Sequence, residues 1–187
     1  TVSKIVAATG AVADTIAVGN GPLGVAFDGT HIWVTNYDDD TVTVIVAATG
    51  VVAAPIDVGN GPLGVAFDGT HMWVTNAFDA TVSKIVAATG AVAATIGVGD
   101  APRGVAFDGT HIWTANGNDD TVSKIVASTG VVAATIAVGS FPYGVAFDGT
   151  HIWVANNNAD TVSKIVASTR TEEHTSELQS RSDLVCR

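Results

Sequence analysis

The chain is built from a 40-residue unit that recurs without insertion or deletion. Every copy carries the motif Phe-Asp-Gly-Thr-His-(Ile/Met)-Trp, which occupies residues 27–33, 67–73, 107–113 and 147–153. A unit of this size cannot bury its apolar side chains alone, so its copies have to cover one another by stacking. The repeat therefore limits the chain to a repeat architecture, and it also lets the copies be compared position by position.

Each unit contains four short segments of strand type, and Asp-Gly or Thr-Gly pairs mark turns between them. In the unit 21–60 the predicted strands are residues 24–27, 31–36, 41–47 and 51–58. Tight turns between such short strands produce an antiparallel meander. Within the second strand, Ile32 and Val34 point to one face and Trp33 to the other, so both faces need a neighbouring sheet. The sequence predicts an all-β protein, a β-propeller of four-stranded antiparallel blades, with a linear β-solenoid as the alternative.

Counting the copies gives a little over four blades. Complete units are residues 21–60, 61–100 and 101–140, and partial units are residues 1–20 and 141–170. Because Thr1 aligns with Thr41, in the middle of a unit, we expect an arc that belongs to a larger ring. The alternatives are self-association of two copies, or closure into a four-bladed ring in which residues 11–18 add a fourth strand to the last blade.

The segment after residue 170 differs from the repeat in composition. Arg170 stands where the other copies have a turn glycine, and residues 171–187 contain all three glutamates, the one glutamine and the one cysteine. Residues 172–180 resemble the translation of a sequencing adapter, so we expect residues 171–187 to be a non-native, disordered tail. A natural disordered C-terminal segment is the alternative.

The composition argues against several functional classes. The net charge is −10 and the eight Lys and Arg residues are scattered singly, so we expect no basic surface for nucleic acid. Polar residues or glycine interrupt every apolar stretch before it reaches the roughly 18 residues of a membrane span. Cys186 lies outside the repeats, which leaves neither a disulfide nor a cysteine metal site within them. No cofactor is predicted.

The order of short stretches within the unit carries a resemblance to a known family. The stretches are Trp33-Val34-Thr35-Asn36, Thr41-Val42-Thr43-Val44-Ile45, Pro55-Ile56-Asp57-Val58-Gly59 and Pro62-Leu63-Gly64-Val65-Ala66. In these stretches and in their spacing, residues 1–169 resemble the YVTN family of β-propeller repeats. The sequence departs from that family by having Trp where Tyr is usual. It also departs from it by the third-strand lysines Lys4, Lys84, Lys124 and Lys164.

The resemblance implies a ring of about seven blades from a bacterium or archaeon, at the cell surface or secreted, and mostly without an assigned activity. A related group, the virginiamycin B lyase-like propellers, opens a lactone with a histidine and a magnesium site that involves glutamate. The repeats here contain no glutamate, which weakens the transfer of that activity to this chain.

Histidines and aspartates are the residues of the repeat that could bind a metal. Four histidines facing a ring axis could hold one, namely His31, His71, His111 and His151. Their identical place in every copy instead favours a role in anchoring the local turn, and the same reasoning assigns the tryptophans to blade packing. Asp38-Asp39-Asp40 could bind Ca²⁺, although adjacent carboxylates in a loop more often form solvated turns. No metal site is predicted.

The copies differ most on one side of the predicted ring. Strand parity places the loops between blades on the same side as the loops between second and third strands. Substitutions in these loops change chemical type, whereas the turns of the opposite side recur almost unchanged. Exposed aromatic and arginine side chains are typical of binding sites. The predicted binding residues are Leu23, Tyr37, Asp38, Leu63, Phe78, Asp79, Arg103, Asn118, Phe141, Tyr143 and Asn157.

Neutral drift of exposed loops is the alternative explanation for this variation. Two functions remain open. The first is a non-catalytic binding or scaffold module that uses the variable face for a protein, a glycan or a small ligand. The second is a lactonase- or lyase-type enzyme whose active centre lies in further blades, which a blade with a glutamate or histidine absent from its siblings would favour.

Overall fold

The computed structural model describes residues 1–167, which form an all-β structure with one short 3-10 helix at Asn157–Ala159. The predicted boundary at residue 170 and the predicted tail 171–187 lie outside the described residues. The strands are β1 (Val2–Ile5), β2 (Val12–Ile16), β3 (Pro22–Phe27), β4 (His31–Asn36), β5 (Thr41–Val46), β6 (Ile56–Asp57), β7 (Pro62–Phe67), β8 (His71–Asn76), β9 (Thr81–Val86), β10 (Val92–Gly97), β11 (Pro102–Phe107), β12 (His111–Asn116), β13 (Thr121–Val126), β14 (Val132–Ala137), β15 (Pro142–Phe147), β16 (His151–Asn156) and β17 (Thr161–Val166).

The strands pair antiparallel, in sequence order, into five separate sheets. β3 to β6, β7 to β10 and β11 to β14 form four-stranded sheets, flanked by the β1–β2 hairpin and the three-stranded sheet β15 to β17. Each first strand begins two residues earlier than predicted, at Pro22 in β3, which pairs with Asn36. The arrangement confirms the predicted propeller blades and their 40-residue period.

The fourth strand of the first complete blade is shorter than predicted. β6 covers only Ile56–Asp57, preceded by an isolated bridge between Ile45 and Val52. The equivalent strands β10 and β14 have six residues each. Pro55 stands where those strands have threonine, and proline lacks the N–H group that the ladder needs.

Successive blades pack face to face around buried tryptophans. Each blade turns its tryptophan face, the face that carries the tryptophan of its second strand, toward the next blade. At the first interface Trp33 packs in one cluster with Met72 and Val74 of the following blade. Trp33, Trp73 and Trp113 are at most 1% exposed, so the tryptophans build the blade interfaces as the sequence indicated.

The first strands lie against one another along the inner side of the arc, β3 beside β7, β7 beside β11 and β11 beside β15. A threonine hydroxyl joins two of them. The Oγ1 of Thr75 accepts a hydrogen bond from the amide of Gly64 at 2.8 Å and donates one to the carbonyl of Arg103 at 2.6 Å. Thr35 makes the same bridge one blade earlier. These threonine hydroxyls therefore hold the backbones of neighbouring first strands together along the inner side of the arc.

The turn before each second strand is organised by its aspartate. Asp68 Oδ1 accepts from the amides of Thr70 at 2.8 Å and His71 at 2.6 Å, and Oδ2 accepts from Trp73 Nε1 at 2.8 Å. Burial alone would raise the pKa of Asp68, but these hydrogen bonds outweigh it and hold the pKa below its usual range. The equivalent aspartates with a lowered pKa are Asp28, Asp108 and Asp148.

The arc does not close on itself within residues 1–167. The β1–β2 hairpin rests on the first complete blade, where Lys4 Nζ donates to the carbonyl of Ala47 at 3.0 Å. At the other end the sheet β15 to β17 leaves Trp153 38% exposed. Among the described residues no helix has the length and apolar character needed to cross a membrane.

Candidate functional site

The variable loops lie together on one side of the arc, which we call the loop face. The amide of Tyr37 donates to the carbonyl of Gly21 at 2.9 Å, and the amide of Asp38 donates to that of Asn20 at 3.3 Å. The later blades repeat both hydrogen bonds at equivalent positions. Each inter-blade loop is thus bonded to the loop between the second and third strands of its own blade, as strand parity predicted.

Side chains from three successive blades line a cavity of about 310 Å³ in the loop face. Six of the predicted residues contribute to its lining, namely Leu23, Tyr37, Leu63, Phe78, Arg103 and Asn118. The rings of Tyr37 and Phe78 form a tilted pair with centroids 5.5 Å apart. Leu23 is 60% exposed and Phe78 is 70% exposed, so the wall of the cavity offers apolar surface to solvent. The volume is at the small end of the range for ligand sites.

Arg103, which lines this cavity, is the one arginine within residues 1–167, and its side chain also lies against two aromatic rings. Its guanidinium is 4.4 Å from the ring of Phe141 and 5.1 Å from that of Tyr143. Its Nε is enclosed and has no acceptor among the described residues. The ion pairs within the described chain all join a histidine to its turn aspartate, so no carboxylate pairs with Arg103. Gly117 makes room for the side chain, because a Cβ there would lie 2.6 Å from Nε.

Two inter-blade loops carry a non-glycine residue in the left-handed region. Ala101 has φ of 50° and Phe141 has φ of 52°, at the position that Gly21 and Gly61 occupy in the first two loops. Such a conformation costs roughly 1 kcal/mol or more for a residue with a side chain. The loop therefore holds the ring of Phe141 against Arg103 despite backbone strain. Strain of this kind often accompanies a binding site.

Most acidic side chains of the loop face accept hydrogen bonds from backbone amides, which sequence reasoning missed. Asp79 accepts from the amide and the side chain of Asn60, both at 2.8 Å. Asp40 accepts from the amide of Gly61 in the next inter-blade loop at 2.8 Å. Equivalent bonds to inter-blade loops are made by Asp39, Asp119 and Asp120. The interpretation of these residues as solvated turn formers is therefore incomplete, because they brace one loop against another.

The remaining predicted residues lie around the cavity without lining it. Phe141 and Tyr143 stand beside Arg103. Asp38 is exposed, with its carboxylate close to the backbone of Gly21. Asn157 is exposed at the start of the 3-10 helix, and its amide donates to the carbonyl of Phe141 at 3.0 Å.

The histidines are spread one to each blade rather than gathered into a cluster. Each lies beside the aspartate of its own turn, as in His31, whose Nδ1 is 3.2 Å from Asp28 Oδ2. Within residues 1–167 no three His, Cys, Asp or Glu side chains come close enough together to hold a metal ion. The geometry agrees with the interpretation that each histidine anchors its own turn.

Comparison with known proteins identifies the fold. No protein-family model and no curated protein matches the sequence. The arc does match the hydrazine synthase of Kuenenia stuttgartiensis at 22% identity and a TM-score of 0.72, covering 81% of this chain and 47% of that chain. It matches the computationally designed protein Ika4 at 16% identity and a TM-score of 0.73, and the match covers 82% of this chain and 96% of the Ika4 chain. It matches a streptogramin B lyase at 18% identity and a TM-score of 0.64, and the match covers 80% of this chain and 56% of the lyase chain.

The chain is a β-propeller repeat protein. The propeller arc spans about half the length of the hydrazine synthase and lyase chains. Because these identities are below 25%, the likeness shows the fold and carries no activity over to this propeller. Membership of the YVTN family, a bacterial source and a secreted location stay predictions.

Proposed function

We propose that this propeller is a non-catalytic binding module whose loop face takes a small ligand that joins a carboxylate to a flat apolar group. The observation that supports the proposal is the convergence of side chains from three blades on one cavity, beside an arginine with no carboxylate partner among the described residues. Among the ligand classes that the sequence left open, a cavity of about 310 Å³ favours a small molecule over a protein surface or a long glycan.

The chemistry of the ligand follows from the two parts of the site. Phe141 and Tyr143 lie near the guanidinium of Arg103, whose N–H donors lie in its plane and match the two oxygens of a carboxylate. Tyr37 and Phe78 provide aromatic surface for a flat apolar group. The net charge of −10 disfavours a ligand with several negative charges, so a single carboxylate suits the site best.

The first test compares two probes that differ in charge. Naphthalene-2-carboxylate and neutral naphthalene-2-methanol are titrated into the propeller by calorimetry. We expect the carboxylate to bind saturably and the alcohol to bind about tenfold more weakly, since a hydrogen bond to a charged group contributes about 1.5–3 kcal/mol. Arg103→Ala should abolish the difference between the probes. Val131→Thr, an exposed change at the opposite side, is the control. Equal affinity of the wild type and Arg103→Ala for the carboxylate would contradict the proposal.

Phe141→Gly separates binding from folding. The change removes the ring that stacks on Arg103 and relieves the left-handed backbone at this position. We expect the free energy of unfolding to stay equal or rise by up to about 1 kcal/mol, and the affinity for naphthalene-2-carboxylate to fall several-fold. Urea unfolding and calorimetry on the same sample give both values. A variant that binds as tightly as the wild type would show that the ring has no part in the site.

A further inference from the structure

Within residues 1–167, no further blade covers the tryptophan face of the sheet formed by β15, β16 and β17. Trp153 is 38% exposed and Val162 is 62% exposed, whereas their counterparts at the three interior interfaces are at most 1% exposed. Lys164 lies 5.0 Å from the Trp153 ring, but its ammonium donates to no carbonyl within residues 1–167. The equivalent Lys84 and Lys124 each donate to an alanine carbonyl of the next blade, at 2.7 and 2.9 Å. The three interior interfaces therefore show what this face contacts when it is covered, namely another blade.

The opposite end of the arc has a matching cavity of about 230 Å³ between the β1–β2 hairpin and the first complete blade. Its walls include Val25 and Ile32, and Val25 is 62% exposed. The equivalent residues one blade later, Val65 and Met72, pack in one cluster with Trp33 of the preceding blade. Val25 and Ile32 therefore form the same type of surface that contacts the tryptophan of the preceding blade at the interior interfaces.

The strands at the two ends are interchangeable in sequence. Residues 1–7 and residues 161–167 both read Thr-Val-Ser-Lys-Ile-Val-Ala. β17 pairs with β16, Ala155 opposite Val162. Within residues 1–167, β1 pairs only with β2, and its other edge has no partner strand. A second copy's β1 can thus replace β17 on β16 with every side-chain pair unchanged, and it brings β2 along as a fourth strand.

We propose that the Trp153 face docks on the β1–β2 end of a second copy of this chain, so that two arcs close one ring. In each shared blade β17 leaves β16, and the β1–β2 hairpin of the other copy pairs with β16 in its place. The two chains contribute three complete blades each, and the two contacts between them add two shared blades, so the two-copy ring has eight blades.

The oligomeric state in solution tests this proposal directly. Light scattering of the 187-residue chain should give twice 18.9 kDa. Gly144→Ala should give the single-chain mass, because at Gly24, Gly64 and Gly104 an added Cβ would overlap a carbonyl oxygen of the next first strand. In the single chain a Cβ on Gly144 would meet only Ala155 Cβ, at 3.9 Å, so the arc itself should fold. Gly97→Ala, where a Cβ meets nothing within 4 Å, is the control and should keep the doubled mass.

A disulfide identifies which strands meet. Ala155→Cys and Val2→Cys are combined in a Cys186→Ser background, because Val2 is the counterpart of Val162 in β1. Directly opposed residues of an antiparallel pair lie within disulfide reach. Oxidation should link two chains, which a non-reducing gel shows as a doubled mass. A link within one chain would indicate a four-bladed ring and overturn the proposal. A single-chain mass for the wild type, a doubled mass for Gly144→Ala, or open polymers that grow with concentration would also overturn it.

Discussion

Gly64→Ala is expected to destabilise the propeller by about 3 kcal/mol, which lowers the melting temperature by roughly 6–12 °C. A Cβ on Gly64 would overlap the carbonyl oxygen of Arg103 and lie 3.1 Å from Val105 Cγ1. Backbone atoms of a neighbouring first strand cannot move aside as the end of a flexible side chain can. The strand would shift, and the bridge through the hydroxyl of Thr75 would lengthen on both sides.

The matched control for this change is Gly144→Ala in dilute solution, where single chains are populated. Gly144 occupies the same place in the motif, but no first strand of the described chain lies beyond it, and a Cβ there meets only Ala155 Cβ at 3.9 Å. Its melting temperature should stay close to that of the wild type. If both variants melt alike, contact between first strands is not what requires glycine at this position. Because Thr75 also holds the Arg103 carbonyl, Gly64→Ala should weaken binding of naphthalene-2-carboxylate as well.

The blade could be predicted from the sequence because its determinants are local and repeated four times. Alternation of Ile32, Trp33 and Val34 assigns the two faces of a sheet, and strand parity alone places the variable loops on one side. The length of β6 was missed because it depends on one proline, Pro55, at a place where the other copies have threonine. The strand was predicted from the pattern that the copies share, but its hydrogen bonds depend on the N–H group of each residue, which Pro55 lacks.

The details of the candidate site could be predicted only in part, because they depend on pairs of residues far apart in the chain. The brace between Asp40 and Gly61 joins residues 21 positions apart in different blades. No local pattern distinguishes such a carboxylate from a solvated one. The fit of Arg103 against Gly117 could have been predicted from the sequence by comparing pairs of positions between copies. The copy that has arginine at position 103 is also the copy that has glycine at position 117.

Asp68→Asn should destabilise the propeller by about 2 kcal/mol at neutral pH and flatten its loss of stability in acid. The asparagine keeps an oxygen for the amides of Thr70 and His71 but turns an N–H₂ group toward Trp73 Nε1, which then lacks an acceptor in a fully buried ring. Asp14→Asn is the control, because Asp14 is exposed and its carboxylate accepts from the amide of its neighbour Thr15.

The pH dependence separates this carboxylate from a merely space-filling side chain. The folded pKa of Asp68 is lowered, so its contribution to stability is complete above the unfolded pKa of about 4 and is lost as pH falls through the folded pKa. Urea unfolding at pH 7, 4 and 3 should show the difference in free energy of unfolding between the wild type and Asp68→Asn narrowing toward acid, because protonation of the carboxylate in the unfolded chain removes the advantage of the folded state. Asp14→Asn should run parallel to the wild type throughout. A constant gap for Asp68→Asn would mean that shape, rather than the charge of the hydrogen-bonded carboxylate, holds the turn and its tryptophan in place.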